Sequence, residues 1–458
     1  MPFRLPLPHV IALATTSVAI ILALLPAGLL PVSGTAAGLA VMVIGLWATG
    51  VLPEYLTALL FFTLAMLLKV APAGVVFSGF ESTALWLIFG GLVIGVAIRR
   101  TGLGERIASR LAVRLGTSYA GLIAGMVTVG VALAFLMPSS MGRVVLIIPI
   151  ALAICERVGF AEDSKGRSGV VFAAVLGCHV PAFAILPSNV PNMVLAGGAE
   201  TLYGWTPVYG QYLLLHFPVL GLLKAALVVA VILWMFPDAL RHRPEPPPPS
   251  PLSRDEYRLA ALLAIALLFW VSDFAHGISP AWIGLAAAVI CLVPAVGLVP
   301  TAAFNQEVSF GSLFYVAGIM GLGAMVDATG LGKALAGAFL AVLPLEPGHA
   351  ALNFVSLTLT GILIGPFTTL PGQPAVLTPL AGQLAAASGL PVESVLMLEV
   401  LAFSTLLLPY QSAPMVIGIH LGGQRLGTAT RLVAVLALLT LTVALPLDFL
   451  WWRLLGWI

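Results

Sequence analysis

The chain has 458 residues, 60% of them hydrophobic and only 8% charged, with a mean hydropathy of +1.10 and a formal net charge of +2. A soluble domain carries about 25% charged residues, so this composition has too little polar surface to cover a globule and points to lipid as the solvent. Cys155, Cys178 and Cys291 stand singly in or beside apolar runs; they match no metal spacing and make no extracellular disulfide framework.

The opening MPFRLPLPHV leads into an apolar run from Val10 to Leu30. A run of about 20 residues is long enough to span a bilayer, and no small-residue cleavage site follows, so a retained first helix is expected over 1–33 rather than a signal peptide. Further spans are predicted near 34–52, 55–70, 84–98, 170–198, 212–236, 258–274, 280–298, 308–328, 392–420 and 430–452. Two other apolar stretches, 118–155 and 350–388, are interrupted by helix breakers: Pro138-Ser139-Ser140-Met141-Gly142 in the first and Pro366 through Pro374 in the second. Each suits a re-entrant helical hairpin, because non-helical backbone at membrane depth is tolerated only when buried in protein or lining a cavity. Residues 237–257, PDALRHRPEPPPPSPLSRDEY, form the one clear linker, stiffened by four consecutive prolines. The expected fold is therefore an all-α polytopic membrane protein, with about 11 transmembrane helices plus two re-entrant hairpins.

The two sides of the linker, 34–236 and 258–458, echo each other. LWLIFGGLVIGVAIRRTGLG from Leu85 aligns with LFYVAGIMGLGAMVDATGLG from Leu313, and ILPSNVPNMVLAG from Ile185 pairs with LLPYQSAPMVIGI from Leu407. The order is the same in both: span, TGLG, interrupted hairpin, then a span broken at a proline cluster. Around the first TGLG, residues 99–114 carry Arg99, Arg100, Arg106, Arg110 and Arg114 against Glu105 alone, whereas the equivalent stretch of the second copy has Lys333 with Asp327 and Glu346. The positive-inside rule makes the first segment cytoplasmic, with the linker's Arg241, Arg243, Arg254 and Arg258, and puts the second on the opposite face. Two inverted-topology repeats follow, the arrangement of many secondary transporters.

This layout, from residue 34 onward, resembles the divalent anion/sodium symporter family of the ion transporter superfamily, which carries dicarboxylates, citrate or sulfate. Family members place a Ser-Asn-Thr tip on each hairpin before a proline. Counting back from Pro149 puts that tip at Ser139-Ser140-Met141, and from Pro379 at Thr369-Leu370-Pro371. The family's Thr-Pro-Pro-Asn break is similar to Asn189-Val190-Pro191-Asn192 and to Ser412-Ala413-Pro414-Met415. The layout matches and the signature residues depart from the pattern. The resemblance implies that Ser139, Ser140, Asn189, Asn192, Thr369, Gln373 and Ser412, with Thr368, contact substrate. It also implies that Ser139, Ser140 and Asn189 hold sodium, while the second tip, with Leu370 and Pro371, offers too few oxygens for a second ion. A homodimer and an elevator-like movement of the hairpin-bearing part are implied in the same way.

Arg143 follows the first tip near mid-membrane, where a charge costs roughly 3 kcal/mol or more. Either its guanidinium faces the cavity and pairs bidentately with an anionic substrate, or it pairs with a structural acid or snorkels to the cytoplasm. Glu399 in VLMLEVLAF and His179 in LGCHVPAF are candidate proton carriers; otherwise each is satisfied by one local hydrogen bond. Glu54, Asp273 and His276 sit where spans end, and Trp451, Trp452 and Trp457 make an interfacial belt. No Walker loop, HExxH, GxSxG or paired CxxC is present, and the basic segments are juxtamembrane rather than a nucleic-acid surface. The expectation is a multi-pass carrier in the cell (inner) membrane, without cofactor unless sodium couples, working by alternating access on small dianions. The alternatives are a sodium-independent proton-coupled permease or anion exchanger, then a membrane-embedded enzyme, which would need a convergent catalytic cluster, or a channel.

Overall fold

The computed structural model describes residues 6–26, 32–107, 110, 118–242 and 251–458; the end of the first apolar run, Arg114, Arg243 and the four consecutive prolines lie outside them. Among the described residues the secondary structure is entirely helical. Among the same described residues seven helices are long and apolar enough to cross a membrane, and four shorter apolar ones accompany them.

The helices of the first half are α1 (Leu7–Leu24), α2 (Gly34–Thr49), α3 (Glu54–Leu67), α4 (Thr83–Thr101), the hairpin arms α5 (Tyr119–Leu136) and α6 (Ser140–Arg157), α7 (Lys165–His179), α8 (Val190–Tyr203) and α9 (Tyr209–Met235). The second half has α10 (Arg254–Val271), α11 (Pro280–Leu292), α12 (Phe310–Ala328), the first arm α13 (Ala350–Ile364), the second arm with α14 (Gly372–Leu377) and α15 (Ala381–Ser388), then α16 (Val392–Phe403), α17 (Ala413–Leu421) and α18 (Leu426–Leu454). Serine starts many of them: Ser33, Ser82, Ser118, Ser164 and Ser253 each accept a first-turn N–H, filling a donor that the helix itself leaves open. The linker is shorter than its sequence suggests, because Ser253 and Glu256 form a reciprocal capping box and α10 already begins at Arg254.

The sequence echo is also a structural one. At both TGLG motifs a threonine hydroxyl donates to the carbonyl four residues back, Thr101 to Ala97 O (2.9 Å) and Thr329 to Met325 O (2.8 Å). The following Gly102 and Gly330 take the left-handed conformation at φ +76° and +74°, which a side chain would strain. The final helix of each half contains a π-helical segment, Phe217–Leu223 in α9 and Thr440–Ala444 in α18.

Packing interlocks the halves. Arm α6 packs on α7 and on α17 of the other half, and α14 packs on α8 of the first half. Glycine makes the closest approach possible: a Cβ on Gly130 of α5 would lie 2.2 Å from the Gly177 backbone of α7. The first tip packs Pro138 on Gly91 of α4, where a Cβ would meet the ring at 2.6 Å. The second tip touches α12, the counterpart of α4, through Tyr315 Oη and Thr369 Oγ1 at 3.2 Å.

Candidate functional site

The span expected over 170–198 is two helices, α7 and α8, separated by an irregular stretch around Pro181 and Pro187. A helix ends with four carbonyls that have no intrahelical donor, and prolines supply no N–H to fill them. Arg143, three residues into α6 and fully buried, fills that gap. Its Nε and Nη2 donate to Cys178 O at 3.2 and 3.0 Å, Nη1 to Ser188 O at 3.0 Å and to Met137 O, and Nη2 also to Ser140 Oγ at 2.9 Å. All five guanidinium donors are engaged. Among the described residues no carboxylate forms an ion pair with it. Its side chain therefore ties the first tip to the break of α7 and has no donor left for a bound anion. That differs from both sequence expectations, since it neither faces an open cavity nor pairs with an acid.

The corresponding break in the second half runs from Ser404 to Ser412, between α16 and α17. Here the cation comes from α9: Lys224 Nζ donates to Ser404 O at 2.9 Å and Ser404 Oγ at 3.3 Å. Each broken helix thus ends on a buried positive charge, Arg143 at Cys178 O and Lys224 at Ser404 O, placed where the helix dipole is negative. Gln373 sits six residues before Pro379, as Arg143 sits six before Pro149. It is buried like Arg143, but neither its Oε1 nor its Nε2 has a partner, and Gln411 Nε2 is also unpartnered. Gln411 Oε1 is held by Leu407 N (2.8 Å) and Leu408 N (2.7 Å), and Gln411 O accepts from Leu370 N at the tip (3.3 Å). The two amides meet over Gly365, whose missing Cβ would lie 2.4 Å from Gln373 Nε2 and 2.5 Å from Gln411 Nε2.

The remaining residues expected at the site divide by partner. Ser139 Oγ caps α6 by accepting from Gly142 N (3.1 Å), Asn189 Oδ1 caps α8 from Asn192 N (3.0 Å), and Ser412 Oγ caps α17 from Met415 N (3.3 Å). Asn192 Nδ2 donates to Phe183 O and Ile185 O (3.1 and 3.0 Å), pinning the unwound stretch, and leaves its Oδ1 unpartnered. Ser139, Thr368 and Thr369 are half-buried, whereas Ser140 and Gln373 are closed off. The side-chain oxygens of Ser139, Ser140 and Asn189 each accept one hydrogen bond, from Gly142 N, Arg143 and Asn192 N, and each oxygen has a second lone pair. Glu399 lies away from the tips: its Oε2 accepts from Thr378 Oγ1 (2.9 Å) on the second arm and its Oε1 is unpartnered. His179 ends α7 with both ring nitrogens unpartnered and its ring edge-on to Phe183. Asp273, expected at an interface, is buried and caps the start of α9 at Tyr209 N (2.6 Å).

Residues 7–458 match the family described as the sodium:sulfate symporter transmembrane region. The chain belongs to that family. Among its relatives, an L-tartrate/succinate antiporter of Escherichia coli K12 is 25% identical over 82% of this chain and 79% of its own length. An uncharacterised transporter of Haemophilus influenzae is 23% identical over 85% and 84%. A Cupriavidus necator membrane protein is 25% identical over 66% of this chain, which spans 64% of that relative's length. The fold is that of the Alcanivorax borkumensis YdaH transporter, with a TM-score of 0.56 over 98% of both chains at 17% identity.

As a member of the sodium:sulfate symporter family the chain is a multi-pass membrane transporter of anions. Two residues at its breaks are not among those the sequence reading singles out. Lys224 lies inside the span read at 212–236, and a lone lysine in FPVLGLLKAALVV is the signal that finds it. Gln411 carries no such signal; only the fold brings it to Gln373.

Proposed function

We propose that this transporter moves small dicarboxylate or sulfate-like dianions by alternating access without a bound sodium ion. The observation that carries the reading is the enclosure of the Arg143 guanidinium by Met137 O, Ser140 Oγ, Cys178 O and Ser188 O. Unwound carbonyls and half-helix C-termini are the groups that hold coupling cations in such carriers. Here the cation is covalently attached, and its charge offsets part of a dianion's without filling a donor position at the substrate. Gln373, whose amide is wholly unpartnered beside the opposite tip, and Gln411, whose Nε2 is unpartnered on the break, supply the direct contacts, supported by the unpartnered Asn192 Oδ1 and by Thr369. The antiporter among the relatives supports exchange of one dicarboxylate for another as one mode. The two halves are inverted repeats, the chain works as a homodimer in the cell membrane, and it transports without catalysing a reaction.

Uptake by the reconstituted protein tests this. Proteoliposomes loaded with succinate should take up labelled succinate, tartrate or sulfate equally well in sodium and in potassium buffer. A steep sodium requirement would return the chain to the conventional symporter reading.

A further inference from the structure

We propose that Lys224 is the proton-binding residue of the transport cycle, charged while a dianion is carried and neutral while the empty site returns. The inference rests on the anion-transport reading above and adds to it the coupling ion.

Lys224 directly follows the π-helical segment of α9 and is 5% exposed near the middle of that helix. It binds the first carbonyl beyond α16, so its charge bears on the break that leads to Gln411 and Ser412. Beside it is a cavity of about 30 Å³ lined by Leu176, Ser404, Thr405, Met415 and Thr440, among others. That space holds about one water molecule, enough to pass a proton to or from Nζ.

The two buried cations differ in kind. A guanidinium does not deprotonate in a protein, whereas a buried ammonium does so readily. Arg143 is therefore a permanent charge and Lys224 an exchangeable one. With the Asp448 carboxyl protonated, the two together balance a dianion, so the loaded site is neutral and the empty one carries two charges. Moving buried charge through the membrane interior is costly. Loss of one proton from Lys224 to water on the releasing side, –NH3+ giving –NH2 and H+, halves that charge for the return, and reprotonation on the loading side closes the cycle. One proton then accompanies each dianion. If the next dianion binds before the proton leaves, the same site performs exchange.

The groups that face Lys224 leave it this role. Asp448 on α18 and His179 on α7 are within electrostatic reach of it, and Asp448 Oδ1 has no partner. Helix α5 carries only Tyr119, at its far end and bound to Phe236 O, and the 404–412 break carries only Tyr410, bound to Pro366 O. His420 lies at the exposed end of α17.

The test compares exchange with net uptake in proteoliposomes holding the full chain, with labelled succinate as probe and a pH dye in the lumen. Wild type should exchange succinate, and should accumulate it in unloaded vesicles under an inward proton gradient with about one proton per succinate. Lys224→Arg keeps the charge but cannot release it, so proton-driven net uptake and lumen acidification should fall at least tenfold relative to whatever exchange the variant retains. Lys224→Met, permanently neutral, should lose exchange by about tenfold, with the residual flux indifferent to pH. Proton-driven uptake that survives in Lys224→Arg overturns the inference. So does a wild type that exchanges succinate but moves no protons, a measurement that needs no variant. Loss of proton dependence in Glu399→Gln alone would assign the proton to Glu399 instead. Absence of both exchange and uptake of any dianion by wild type would defeat the anion-transport reading itself.

Discussion

Replacing Arg143 by alanine removes five hydrogen bonds and leaves three carbonyls and the Ser140 hydroxyl around an emptied space. Each buried acceptor left without a donor costs about 1–3 kcal/mol, and breaking a buried charged cluster by removing one member costs about 3–5 kcal/mol in all. At 1.4 kcal/mol per decade, that is a loss of about two to nearly four decades in the population with tip and break correctly joined. Thermal unfolding in detergent and succinate exchange in proteoliposomes would both register it. Millimolar guanidinium should restore part of each by re-entering the oxygen cage, and sodium should help the variant while leaving wild type unaffected. Arg143→Lys should recover only part, because an ammonium brings three donors where five are needed. If Arg143→Ala carries succinate at the wild-type rate while wild type requires sodium steeply, the idea of a built-in cation fails.

Three further outcomes follow from the geometry. Gly365→Ala would push a Cβ to within 2.5 Å of Gln373 Nε2 and Gln411 Nε2, unpartnered side-chain ends that can swing aside, so the melt should shift little while succinate exchange falls; unchanged exchange would mean that the two amides do not hold substrate. Cysteines at the half-buried Ser139 and Thr369 should react with water-soluble reagents and be protected by succinate, while those at the buried Ser140 and Gln373 react far more slowly; inertness at both open positions would show the tips to be dry packing. Cysteines at the exposed Glu105 and Lys333 should be labelled from opposite faces of the membrane, and labelling from one face would end the inverted-repeat proposal.

Much of the architecture is written locally. A run of apolar residues must be a helix in lipid, because each backbone N–H needs a partner within its own segment. Serine caps and the Thr-Gly endings then set where such helices begin and stop, which is why the hairpins near 118–155 and 350–388, the broken spans and the repeated TGLG turns can be read along the chain. The end of the linker was less legible, since the Ser253–Glu256 capping box draws polar residues of that segment into α10.

The site behaved differently. Ser139, Asn189 and Ser412 sit at the breaks where motif position puts them, yet what each side chain bonds to is a tertiary matter. Sequence alone determined that a charge at Arg143 lies at membrane depth and demands compensation. Only the tertiary structure decided that the compensation comes from carbonyls at the break of α7, 35 and 45 residues away, and from the tip itself, rather than from a substrate or an acid. It also decided that Lys224 meets a carbonyl 180 residues further along and that Gln373 meets Gln411. Helical hydrogen bonds close within four residues and leave their mark on local composition. A side chain that satisfies a helix end from another element leaves none, because any nearby donor of the right length and charge would serve.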